Sequence, residues 1–109
     1  MNQSPKKWSP ITRSELDTLV AIQLTECNAD SLMLFEKIRI EPRKVLFERK
    51  RVTDEIYAIA QIGSKVIYYD DTDDAFEVGM ADDGGVLRNC GTGQFTLSQA
   101  LLQIQSGGR

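Results

Sequence analysis

From Glu55 to Ile62 the side chains alternate. Ile56, Ala58, Ala60 and Ile62 fall on one side of an extended chain, and Tyr57, Ile59 and Gln61 on the other. A period of two is the mark of a strand. Gly63-Ser64 follows at once, and a glycine in the first position of a two-residue loop suits a type II′ hairpin turn. Lys65 to Tyr69 then returns with apolar or aromatic residues on both faces. That pattern predicts a strand covered on both sides and central in its sheet. A chain carrying this hairpin has to build an antiparallel sheet and find cover for it.

The flanks supply the rest of the sheet and the cover. Thr12-Arg13-Ser14-Glu15 fits the capping box, in which the threonine oxygen and the glutamate carboxylate each take a backbone N–H of the first turn. Leu16, Leu19, Val20, Leu24 and Cys27 then recur at helical spacing, predicting a helix over 13–26. Asn28-Ala29-Asp30 ends it and offers a new N-cap. Leu32, Phe35 and Ile38 mark a second helix that stops before Pro42. Strands are predicted over 44–49, with Val45 and Phe47 on one face and Leu46 on the other, over 75–80, and over 86–89. Asp82-Asp83-Gly84-Gly85 is the turn between the last two. Gly91 to Gly93 makes a corner, Thr96 to Gln99 repeats the capping box, and Leu97, Leu101 and Ile104 give a closing helix. The expected fold is α+β: two N-terminal helices, an antiparallel four- to five-stranded meander sheet, and a C-terminal helix, with the helices on one sheet face. The expected core is Leu16, Leu19, Val20, Leu32, Phe35, Val45, Ile56, Ala58, Val66, Phe76, Leu97 and Leu101. At 109 residues the chain suits one domain, with 1–9 as a loose arm on which Trp8 docks and 106–109 as a frayed tail.

Several kinds of chemistry have no residues to perform them. There is no histidine, so Ser-His-Asp and Cys-His triads cannot form within the chain. Cys27 and Cys90 are too few for a structural zinc site and form no CxxC pair. They read as reduced, half-buried thiols. No phosphate-binding loop is present, and no apolar run reaches the ~20 residues of a membrane span. The polar start, with Lys6 and Lys7 and no apolar stretch after them, is not a secretory signal. The sequence therefore reads as a soluble, cytoplasmic, non-enzymatic protein without cofactor or metal.

Charge is distributed in two poles. Residues 1–53 hold ten Lys or Arg against seven Asp or Glu, while residues 54–109 hold three against nine. Asp70 to Asp83 contains seven acids and no base. An EF-hand loop needs oxygen ligands at alternate positions and a central glycine, and Ala75 and Phe76 stand where these would fall. The run is left as a solvated loop or as a surface for a basic partner. The second reading makes Asp70, Asp71, Asp73, Asp74 and Glu77 the partner-binding residues, with Tyr69 and Phe76 as aromatic supports. The opposite pole, Lys37 to Arg51, carries Arg39, Arg43, Lys44, Arg49, Lys50 and Arg51. It invites a nucleic-acid reading, against which stand a pI near 4.9 and the lack of a recognition helix or RNA-stacking signature. A match between the two poles, within one chain or across a homodimer, is equally open.

The segments Ile56–Gly63, Val66–Glu77 and Asp82–Gly85 together show a strand pair, a tyrosine–acidic–phenylalanine stretch and an Asp-Gly turn. Over roughly residues 32–103 this resembles a group of short bacterial proteins, some of which are immunity partners of contact-dependent or polymorphic toxins. The resemblance implies a toxin inhibitor whose partner is a toxin domain. Nuclease toxins have basic clefts because their substrate is a polyanion, and an acidic surface suits such a cleft. The alternative is a small regulatory or nucleic-acid-binding protein that uses residues 37–51.

Overall fold

The structure, a computed structural model, describes residues 11–49, 52–71, 73–88 and 94–106. The expected arm with Trp8, the basic pair Lys50-Arg51, Thr72, the corner with Cys90, and residues 107–109 lie outside them. The chain runs α1 (Arg13–Leu24), α2 (Ala29–Ile38), β1 (Arg39–Arg49), β2 (Val52–Ile62), β3 (Lys65–Asp70), β4 (Ala75–Ala81), β5 (Leu87–Arg88) and α3 (Leu97–Ser106). The class is α+β as expected. The helix starts follow from their caps. Thr12 accepts from the Glu15 amide at 3.1 Å while the Glu15 carboxylate accepts from the Thr12 amide at 2.9 Å. Asn28 accepts from the Ser31 amide at 2.8 Å. Thr96 and Gln99 close the second reciprocal pair, at 3.2 and 2.9 Å.

The sheet is not the open meander expected. Its five strands do follow one another in order, but they close into a small barrel. In a meander each strand reverses the last, so the first and fifth run the same way, and only a parallel pair can join them. Phe47 of β1 and Leu87 of β5 form it. Closure splits the core in two. Phe47, Ile56, Ala58, Val66, Tyr68 and Leu87 fill the barrel. On the outside, Ile59, Ala60, Ile67, Tyr69 and Phe76 are covered by Leu16, Val20, Phe35, Ile38, Leu97, Ala100, Leu101 and Ile104 of the three helices. β3 feeds both clusters, which is why both of its faces are apolar, and it lies between β2 and β4 as expected.

The Gly63-Ser64 turn forms as expected. Of its two central residues only Gly63 takes positive φ, 62°, as a type II′ turn asks of the first. One strand departs from strict alternation. Between Ala58, opposite Tyr68, and Ala60, opposite Ile67, β2 carries the extra residue Ile59. In such a bulge two successive residues oppose one partner. Ile59 and Ala60 both turn to the helices, so Ala60 does not share a face with Ala58. β1 starts at Arg39 rather than Lys44, in an irregular stretch that takes Pro42 into the strand. Proline is tolerated there because the stretch from 40 to 42 has no registered partner in β2. Of the expected core, Leu32 is 38% exposed. Ser31 holds the buried position in line with Phe35 and Ile38, which turns Leu32 outward. Leu19 and Val45 are partly buried at the margins of the two clusters. Ser106 belongs to α3 rather than to a frayed tail.

The closing seam yields a stability prediction. Leu87 is fully buried although its strand has only two residues. Leu87→Ala should lower unfolding free energy by about 2–5 kcal/mol, the range for deleting a buried leucine side chain. Leu46→Ala, at an exposed position one residue before the seam, should have a much smaller effect. Denaturant unfolding of both variants checks this ordering.

Candidate functional site

β3 and β4 lie in register from Lys65–Met80 to Asp70–Ala75, so the acidic run makes their connecting turn. Strand alternation then sorts its seven candidate residues. Tyr69 and Phe76 are cross-strand partners on the helix side, 5% and 0% exposed. Their rings meet edge to face with centroids 5.2 Å apart, a favourable arrangement of aromatic quadrupoles. Asp70 and Glu77 point the other way and are buried, 4% and 1% exposed. Asp71 is half-buried, and only Asp73 and Asp74 are exposed. The sequence treats the acids as one surface, whereas the fold presents Asp71, Asp73 and Asp74 and withdraws Asp70 and Glu77. Tyr69 and Phe76 support the turn from beneath and cannot touch a partner docked on it.

The turn is held by its own carboxylates. The Tyr69 hydroxyl donates to Asp74 Oδ1. Asp74 has a φ of 54°, in the left-handed region that aspartate enters more readily than most side chains. Asp71 Oδ2 accepts from the Ile11 amide at 2.9 Å, tying the chain before α1 to the turn. Glu77 Oε2 accepts from the Gln94 amide at 2.9 Å. Next to it Phe95 and Phe76 exchange two backbone hydrogen bonds, at 2.9 and 3.0 Å, leading the chain into α3. Burial, with the bond to Asp74 and the nearby charges of Asp71 and Asp70 added, pushes the Tyr69 phenol far above its ordinary pKa.

One exposed acid escapes the sequence reading. Tyr57 of β2 faces Tyr69, so Glu55, two residues nearer the β1–β2 turn, lies on the same side as the acidic turn. The hairpin register carries that signal, but the bulge at Ile59 shifts the count by one. Between Val52 and Leu87 Lys65 is the only basic residue, and it sits at the opposite end of β3.

Of the basic stretch, Arg39, Arg43 and Lys44 meet groups of their own fold. Arg39 pairs with Glu36 at 3.0 Å and lies 4.9 Å above the Phe35 ring. Arg43 donates to Gln61 Oε1 at 3.3 Å. Lys44 lies 5.6 Å from the centre of the Tyr57 ring. At the β1–β5 seam Arg88 bridges Asp82, at 2.7 Å, and Glu48. The Asp82 carboxyl is held below its usual pKa by Arg88 and by the amides of Val86 and Gly84. Cys27 is half-buried beside the Gln23 carbonyl, and burial pushes its thiol up, away from the reactive thiolate. Among the described residues no group of three or more Cys, Asp or Glu is placed to hold a metal ion, and no helix is long and apolar enough to cross a membrane.

The Tyr69 phenol should be visible by titration. In the unfolded chain it ionises near ~10, and in the folded chain far higher. The folded state therefore keeps a proton that the unfolded state loses. Stability from this residue is fully present below about pH 10 and falls as pH rises past it. The ultraviolet titration of the protein minus that of Tyr69→Phe should show a step displaced above the ordinary tyrosine range. Tyr69→Phe should also lose less stability than the parent on alkalinisation.

Compared with known proteins, the chain matches no family model, no curated protein and no solved structure.

Proposed function

We propose that this chain is a cytoplasmic, non-enzymatic protein-binding module that takes a basic partner on the β3–β4 turn, as an immunity-type inhibitor takes a toxin domain. The observation that carries the reading is the fixed geometry of the turn. Asp73 and Asp74 face solvent, with Asp71 half-buried beside them, on a turn pinned by the Tyr69 hydroxyl, the Ile11 amide and the Phe76–Phe95 bridge. Carboxylates on a loose loop repel one another and spread, and ordering them against a partner costs conformational entropy. Here contacts within the fold already hold Asp71 and Asp74. A positive φ at a residue other than glycine is a strained conformation that persists when its surroundings over-determine it, and such positions gather at binding sites. Glu55 widens the acidic edge on β2.

Asp70 and Glu77 have no part in the contact on this reading, because they are buried. The surface is smaller than the acidic run, and its charges sit at a rim where they mainly speed association.

The test uses Asp73→Asn with Asp74→Asn. Asparagine keeps an acceptor for the Tyr69 hydroxyl and tolerates positive φ, so the turn stays folded while two charges go. A partner is first captured from the native host with the intact protein and then purified. Association of the double variant with it should slow about tenfold or more at low salt and lose most of its salt dependence. Unchanged association kinetics at low salt, with the fold intact by circular dichroism, would return the turn to a solubilising role.

A further inference from the structure

A cleft of about 500 Å³ runs between α1 and the start of β1. Its helical wall is one whole face of α1, because Arg13, Asp17, Val20, Ala21 and Leu24 recur at spacings of three and four. Its opposite wall is the irregular stretch Arg39–Pro42 of β1. Phe35 and Ile59, both buried, close the bottom. The volume is that of a small-ligand site, and an apolar floor with a few polar groups at the rim is the usual lining of one.

The rim carries both signs of charge. Arg13 pairs with Asp17 at 3.0 Å and with Glu41 at 2.9 Å, and its guanidinium also donates to the Pro42 carbonyl at 3.4 Å. Arg39 stands over the Phe35 ring and pairs with Glu36. These side chains are 41–84% exposed, so their pairs are wet and readily exchanged. A lone anion entering the cleft would approach Asp17 and Glu41 as closely as Arg13. A lone cation would meet both arginines. A molecule with both charges close together satisfies both signs, and the charges it separates on entering are returned as new pairs.

The geometry points to a binding site for a small zwitterion with an apolar body, the chemistry of a free apolar amino acid. The carboxylate takes the arginine side of the rim, the ammonium takes Asp17 and Glu41, and the apolar body lies against Val20, Leu24 and Ile40. The cleft and the acidic turn share no residue.

The experiment is a titration of the full chain by amide NMR with three probes that share one ring. L-phenylalanine carries both charges, 3-phenylpropionate lacks the ammonium, and phenethylamine lacks the carboxylate. L-phenylalanine should give saturable shifts at residues 20–24 and 39–42, with both single-charge analogues weaker by about tenfold or more. Ala21→Trp puts a large side chain into the cleft from an exposed helix position and should abolish the shifts while the rest of the spectrum stays dispersed. Asp17→Asn with Glu41→Gln should remove the preference for phenylalanine over phenylpropionate. No saturable shift at millimolar probe, equal binding of the three probes, or shifts that persist in Ala21→Trp would each overturn the assignment.

Discussion

Five strands laid side by side, each antiparallel to the one before, leave the first and last pointing the same way. Closing such a sheet needs a parallel contact, the slightly weaker of the two ladders. In this structure that contact is a single registered pair, Phe47 with Leu87, among the described residues. Side chains hold what the backbone does not. Phe47 and Leu87 enter the barrel together, Phe47 packs on Tyr68 with centroids 5.3 Å apart, and Arg88 reaches both Glu48 and Asp82 from outside. Among the described residues, none of the inner cluster's members comes from a helix. The outer cluster depends on the same seam at one remove, because the curvature that closure imposes is what the helices pack against.

The acidic turn shows how one residue type is given different work by strand alternation. Asp70 and Glu77 fall on the barrel side and are buried, Glu77 accepting the amide that starts the approach to α3. Asp71 takes the amide that precedes α1. Asp74 takes the Tyr69 hydroxyl. The carboxylates thus tie the segments entering α1 and α3 to the same corner of the sheet. A run that looks like surplus charge in the sequence is in good part a set of acceptors for backbone groups that need partners.

Most of the element order was legible in the sequence because it rests on local chemistry. Both capping boxes and the Asn28 cap are complete within four residues, and the Gly63-Ser64 turn follows from the conformation glycine permits. What was not legible is non-local. Barrel closure depends on a contact between positions 47 and 87, and a two-residue strand leaves no periodicity to read. The burial of Asp70 and Glu77 was missed because alternation was applied to the apolar residues on either side and not to the acids between them. Leu32 was placed in the core by its hydrophobicity, whereas the buried stripe of α2 passes through the polar Ser31. The cleft beside α1 was out of reach for another reason. Its walls are about twenty residues apart in the chain, and neither Arg13 nor Glu41 is unusual where it stands.

The bulge at Ile59 divides β2 into two reading frames. Before it, the residues facing the barrel are Ile56 and Ala58, at even numbers. After it, Ala60 has moved to the helix side with Ile59. Where β2 loses a residue therefore matters more than that it loses one. Removing Ile59 itself would leave Ala58 to the barrel and Ala60 to the helices, a regular ladder short of one buried side chain. Removing Tyr57 with the bulge kept would instead turn Ile56 from the barrel to the helix side. The bulge thus gives β2 a point of slack in length, whereas a residue gained or lost before it moves side chains from one cluster to the other.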